Sequence, residues 1–191
     1  MENGGSLLPP FFYNGRVPRT SAIFLVGMMG VGKSTVGALL ARRMGRVFID
    51  SDKEVEHRAG RSIPEIFAAE GEAHFRRIEA DVIRDAAIDG AVIALGGGAV
   101  IAPGAIEQLL ETGEVIYLEA APSVLLERVG EASDRPLLAG LDPEGRLDKL
   151  EGLLEERMPF YRRAGMTVDA TGTAGQVVDR ILDQLAGIAM A

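Results

Sequence analysis

The stretch Ala22-Ile23-Phe24-Leu25-Val26-Gly27-Met28-Met29-Gly30-Val31-Gly32-Lys33-Ser34-Thr35 decides how the chain is read. Its first five residues form an apolar run of strand length, and the G-x-x-x-x-G-K-[ST] pattern that follows is a strand-to-helix turn whose amides cradle a phosphate. Glycine at 27, 30 and 32 allows a tight turn with several N–H groups pointing inward. Lys33 is expected to reach the β- and γ-phosphates of a nucleotide, and the Ser34 hydroxyl to ligate Mg²⁺. Gly30, Val31, Gly32, Lys33, Ser34 and Thr35 are therefore the candidate nucleotide-binding residues. A plain turn is the competing reading, and the full pattern with both flanks in place argues against it.

Working outward, short β-branched or aromatic runs recur at 46–49, 91–95, 114–118 and 166–169, giving five strands with 22–26. Helical spacing fills the intervals. Ser62-x-x-Glu65 reads as a capping box, Pro103 and Pro122 as first-turn prolines, and Gly113 as the end of a helix. Alternating β and α segments predict a doubly wound α/β fold with a parallel sheet, in which ligands bind at the carboxyl ends of the strands.

With 191 residues the chain fits one domain, placed at 21–191, preceded by an arm at 1–20 that carries Gly4-Gly5, Pro9-Pro10 and Asn14-Gly15 and is expected to be flexible. Cysteine is absent, which excludes disulfides, thiolate metal sites and a cysteine nucleophile. A net charge of −8 and a pI near 4.9 argue against nucleic-acid binding, which needs a basic surface. Neither a secretory leader nor a membrane-spanning window is evident, so a cytoplasmic protein with small-molecule partners is expected.

Unusual residues follow the expected strands. Asp50-Ser51-Asp52 succeeds the second; if the backbone stays extended through Ser51, both carboxylates share a face and offer a site for a cation or a polyol. Capping of the next helix by Asp52 or Ser51 is the alternative. Gly96-Gly97-Gly98-Ala99 succeeds the third strand and suits close approach by a ligand oxygen, a tight turn being the plainer option. Arg76 lies beside an apolar stripe and can clamp a carboxylate, whereas Arg77 is expected to pair with Asp81. Residues 130–145 lose periodicity and are expected to form a mobile lid bearing Arg135. His57 and His74 lack ligand-spaced companions and read as surface histidines.

These motifs together resemble the shikimate kinase family, a P-loop group similar to the nucleoside-monophosphate kinases. The similarity is carried by G-M-M-G-V-G-K-S-T (27–35), D-S-D (50–52), F-R-R-I-E (75–79), G-G-G-A (96–99), R-P-L-L (135–138) and E-R-M-P-F-Y (156–161). It implies a three-layer α/β/α P-loop kinase fold with a five-stranded parallel sheet in order 2-3-1-4-5, and ATP-dependent phosphorylation of the shikimate 3-hydroxyl. It further implies that Asp52, Arg76, Gly97, Gly98 and Arg157 hold shikimate, with Asp52 on ring hydroxyls and both arginines on the carboxylate. Asp50 is implied to serve Mg²⁺ through water alongside Ser34, and Arg128 to lie against the ATP. Arg135 is implied to meet the γ-phosphate, which makes Lys33, Asp52 and Arg135 the catalytic candidates. Glu79 is implied to orient a substrate-binding side chain, and Phe67 and Phe75 to wall the pocket. A monomer is expected. The Ala170-Thr171-Gly172-Thr173 stretch lacks the arginine that family members place near adenine, and the arm lies outside the family pattern. A regulatory GTPase is disfavoured because no N-K-x-D-type sequence occurs; a kinase of another hydroxylated acid such as gluconate is the runner-up.

Overall fold

A computed structural model describes residues 21–88, 90–130, 137–138 and 140–188. The expected arm at 1–20 and the candidate Arg135 lie outside the described residues. The elements run β1 (Ala22–Val26), α1 (Lys33–Met44), β2 (Phe48–Asp50), α2 (Ser51–Ala59), α3 (Ile63–Ile88), β3 (Val92–Ala94), α4 (Ala105–Thr112), β4 (Gly113–Glu119), α5 (Pro122–Val129), α6 (Pro143–Tyr161), β5 (Met166–Asp169) and α7 (Ala174–Ile188). All five strands are parallel, in the order β2-β3-β1-β4-β5. The expected sheet is therefore present.

β1 is apolar at every position because it is buried on both faces and paired on both edges. Its residues join Ile93, Ile116, Leu118 and Tyr117 in the main core, which also takes in the inner faces of α1, α6 and α7. A second, smaller cluster of Val55, Ile66, Phe75 and Val82 holds α2 against α3.

Several expected boundaries move. Arg46 belongs to the close of α1, where its N–H bonds the Ala41 carbonyl at 2.9 Å, so β2 starts later than residue 46. Pro103 precedes α4 instead of opening it, since Gly104 is the N-cap; Pro122 does occupy the first turn of α5. The helix expected around Arg76 is the part of α3 that follows Gly71, whose non-helical backbone at φ 77° kinks it away from residues 63–70. Pro143, capped by the Asp142 side chain, starts α6, so residues 143–145 are helix and not lid.

Candidate active site

At the end of β1 the chain turns over the phosphate loop into α1, whose N-cap Gly32 has φ 100° and ψ 18°. That left-handed conformation suits glycine, and with no side chain at the cap the first amides of α1 face outward toward an anion. The Lys33 ammonium lies over the loop, donating to the Gly27 carbonyl at 2.8 Å and the Met28 carbonyl at 3.1 Å. Beside it the Ser34 hydroxyl donates to Asp50 Oδ2 at 2.6 Å, which brings together the two residues expected at the metal. A hydroxyl and a carboxylate are hard oxygen donors suited to Mg²⁺, which takes few protein ligands and keeps waters and phosphate oxygens for the rest.

The Asp50-Ser51-Asp52 segment does not stay extended. Asp50 is the N-cap of α2, accepting weakly from the Lys53 N–H at 3.5 Å, and helix begins at Ser51. The carboxylates thus share a site through the first helical turn and not through strand pleating. Asp52 is pushed above its ordinary value chiefly by burial, with the Asp50 charge adding to the rise and Lys33 opposing it. Ser51, fully buried, accepts from the Gly96 N–H at 3.0 Å and ties this turn to the glycine segment after β3.

The triple glycine serves the protein's own side chains. A Cβ added to Gly96 would lie 2.4 Å from Asp52 Oδ1, one on Gly97 2.8 Å from an Arg157 Nη, and one on Gly98 2.9 Å from an Arg76 Nη. None of the three has positive φ, so what glycine supplies is space, not backbone freedom. Three successive residues therefore admit three functional groups from α2, α6 and α3.

Arg76 is held from two sides, donating to Glu79 Oε2 at 2.7 Å and to Glu72 Oε1 at 3.1 Å, and its guanidinium sits 5.1 Å from the Phe75 ring centre. Glu79 is 4% exposed, and its carboxyl is raised by burial against the opposing effect of Arg76. Arg157 is 8% exposed, and its buried Nε meets no acceptor among the described residues. Phe67 stacks obliquely on Phe75 with centres 5.0 Å apart. A cavity of about 340 Å³ gathers Lys33, Asp52, Arg76, Gly97, Gly98 and Arg157, with Glu79, Phe67 and Phe75 also in its wall. Three cations there face two carboxylates, in a chain whose net charge is −8.

Arg128 donates to the carbonyls of Val31 at 3.1 Å and Ala170 at 2.9 Å, bracing the phosphate loop against the segment after β5. Arg180 holds that segment too, through the Asp169 and Thr171 carbonyls. Arg77 contacts His74 and not Asp81, which pairs with Arg84. Tyr161 was not singled out by the sequence, yet its hydroxyl donates to the Gly97 carbonyl at 3.1 Å. Its spacing of four from Arg157 on α6 is the signal that could have found it.

The shikimate kinase family model matches residues 29–186, most of the chain. The chain belongs to this family. Relatives named shikimate kinase include one from Halorhodospira halophila, 50% identical over 87% of this chain and 94% of its own length. Another, from Caldanaerobacter subterraneus subsp. tengcongensis, is 46% identical over 84% of this chain and 93% of its own. Among solved structures, shikimate kinase from Acinetobacter baumannii in complex with shikimate aligns with a TM-score of 0.81 at 38% identity, covering 90% of this chain and 96% of that one. A gluconokinase from Sinorhizobium meliloti shares only the fold, at 21% identity and a TM-score of 0.56.

Proposed function

We infer that the protein transfers the γ-phosphoryl group of ATP to the 3-hydroxyl of shikimate, a step of aromatic amino-acid biosynthesis, and that the 340 Å³ cavity is where shikimate sits. The observation that carries the substrate reading is the convergence of Asp52, Arg76 and Arg157 on the Gly96–Gly98 turn beside Lys33. Two guanidinium groups match a carboxylate, and an acidic side chain matches ring hydroxyls. Arg157 presents an Nη beside Gly97 in the cavity wall, where a guanidinium suits an anion.

In the mechanism we propose, the loop amides and Lys33 bind the phosphates, with Lys33 exchanging the Gly27 and Met28 carbonyls for phosphate oxygens. Ser34, and Asp50 through water, would hold Mg²⁺, which when bound neutralises phosphate charge. Arg76 and Arg157 fix the substrate carboxylate and so aim the ring. Asp52 accepts the proton of the 3-hydroxyl as that oxygen bonds to the γ-phosphorus and the bond to the β–γ bridging oxygen breaks, releasing ADP. Its raised proton affinity suits a general base better than an ordinary surface aspartate would. Positioning and charge neutralisation do most of the work, since phosphoryl transfer asks little covalent chemistry of the protein. Arg135 is assigned to the γ-phosphate on its R-P-L-L motif, and Arg128 to bracing the ATP site. We further propose a cytoplasmic monomer; no helix among the described residues is long and apolar enough to cross a membrane.

A coupled ADP-release assay across hydroxylated acids tests this reading. Turnover with shikimate well above that with gluconate or quinate is expected. Equal turnover with gluconate, or ADP release independent of any acid, would overturn the substrate assignment.

A further inference from the structure

Two buried hydroxyls close on the glycine turn from opposite sides. Ser51, at the start of α2 and fully buried, accepts from the Gly96 N–H at 3.0 Å. Tyr161, at the end of α6 and equally buried, donates its hydroxyl to the Gly97 carbonyl at 3.1 Å. Within the turn, the Gly96 and Gly98 carbonyls accept from Ala99 and Ile101, so the two hydroxyls take up backbone groups that the turn's own bonds leave open. Three consecutive glycines lose more conformational freedom on ordering than other residues would, so partners outside the turn decide how sharply it is held. Each hydroxyl is also close in sequence to a side chain of the substrate cavity: Ser51 precedes Asp52, and Tyr161 lies one helical turn beyond Arg157. Burial raises the Tyr161 hydroxyl above its ordinary value, with the Arg157 guanidinium opposing the rise, so the group stays a protonated donor beside that charge. Tyr161 also stacks on Tyr117 with ring centres 4.9 Å apart, and its hydroxyl lies 3.9 Å from the Met28 sulfur of the phosphate loop.

We propose that Ser51 and Tyr161 are positioning residues of the phosphoryl-transfer site: through the glycine turn, Ser51 sets the place of Asp52 and Tyr161 sets that of Arg157. This rests on the assignment of Asp52 to the attacking hydroxyl and of Arg157 to the substrate carboxylate. Neither Ser51 nor Tyr161 lines the 340 Å³ cavity, so each acts through the turn and not on the substrate. Tyr161 acts on binding, because a Gly97 carbonyl free to swing moves the wall against which the Arg157 Nη lies. Ser51 acts on transfer, because loss of its bond lets the first turn of α2 shift, and with it the carboxylate that must meet the hydroxyl proton at hydrogen-bond distance. In a merely structural role the same two bonds would change the melting temperature and leave substrate binding and turnover as they are.

Ser51→Ala, Tyr161→Phe and Tyr117→Phe are compared with wild type in the full chain; the last removes a buried hydroxyl from the same stacked pair, one that has the Met158 sulfur at 4.0 Å. Circular dichroism checks the fold of each, calorimetry gives Kd for shikimate, methyl shikimate and ATP, and the ADP assay gives kcat. Tyr161→Phe should raise shikimate Kd roughly fivefold or more, the effect of about one net hydrogen bond, yet move methyl shikimate, which lacks the carboxylate charge, by under about twofold. Its ATP Kd should stay close to wild type. Ser51→Ala should lower kcat roughly fivefold or more with either acceptor, while shikimate Kd changes by a smaller factor than kcat. Tyr117→Phe should alter the melting temperature alone. Unchanged shikimate Kd in Tyr161→Phe, an equal change for the ester, or unchanged kcat in Ser51→Ala overturns the proposal. Because the two hydroxyls lie on different helices, either variant is decisive by itself if the other does not fold. A wild type that binds the ester as tightly as shikimate overturns the carboxylate assignment and the proposal with it; that outcome is read without any variant, so the two failures appear in different measurements.

Discussion

At the residue scale, the site depends on the absence of Cβ atoms at 96–98. Gly97→Ala is the cleanest probe: the backbone admits alanine, but the new methyl would sit 2.8 Å from an Arg157 Nη that burial leaves little room to move. Shikimate Kd is expected to rise roughly tenfold or more, as when one charged hydrogen bond is displaced, with ATP affinity nearly unchanged; calorimetry with each ligand checks it. Asp52 gives a second prediction. Its folded carboxyl binds protons more tightly than the ordinary value of 3.8, so ionisation disfavours the fold, and stability is lost as pH rises through the raised value. Asp52→Asn removes that loss. The variant should therefore melt close to wild type in acid and above it near neutrality. Scanning calorimetry at both pH values reads the difference, and the same carboxyl should set an acid limb of kcat/KM above the ordinary aspartate value of 3.8. Asp52 and Arg76 stood out by residue type and Arg157 only through the family resemblance, whereas Tyr161 and Ser51 were given no part in the site, since each acts through a single hydrogen bond to a glycine backbone group that only folding brings near. The Arg77–Asp81 pairing failed for a related reason: helical spacing names possible partners, and competition with His74 and Arg84 chooses among them.

At the element scale, two cores behave differently. The sheet with α1, α6 and α7 shares one large cluster, while α2 and α3 rest on a cluster whose fully buried members are Val55, Ile66, Phe75 and Val82. A small apolar contact set opens more readily than a large one. Amides of α2 and of α3 before Gly71 are expected to exchange hydrogen well before those of β1 in the ligand-free protein, and to slow when shikimate bridges Asp52 and Arg76 to Arg157 on α6. Exchange in α2 as slow as in β1 without ligand would contradict the two-core picture. The strands were legible because burial on both faces writes them as unbroken apolar runs, β1 most clearly. Their edges were less so: Arg46 reads as strand until the closing turn of α1 claims its N–H, and Asp50-Ser51-Asp52 reads as extended until the Asp50 cap starts a helix. At the start of α1, Lys33→Ala should reduce phosphoryl transfer by roughly 10² or more with the fold intact, since its charge acts on bound phosphates. Circular dichroism beside the ADP assay separates the two effects.

At the scale of the whole molecule, a chain of net charge −8 concentrates Lys33, Arg76 and Arg157 around one cavity, so the local potential favours anionic substrates that the rest of the surface repels. Shikimate KM is accordingly expected to rise with ionic strength. The order of the sheet came from family resemblance and not from periodicity, because strand runs carry no record of which neighbour they pair with. The central claim joins two halves of the molecule: the phosphate loop supplies ATP, and Asp52 takes the proton of the hydroxyl that attacks it. The most direct test follows Asp52→Asn by single-turnover kinetics with phosphorus NMR of the product, and by calorimetry with ATP and shikimate separately. The prediction is that wild type yields shikimate 3-phosphate and ADP in equal amounts, while the variant slows roughly 10²-fold or more and ATP affinity stays close to wild type. Normal turnover in the variant would contradict it, and lost ATP binding with shikimate binding intact would contradict it by moving Asp52 to the metal site.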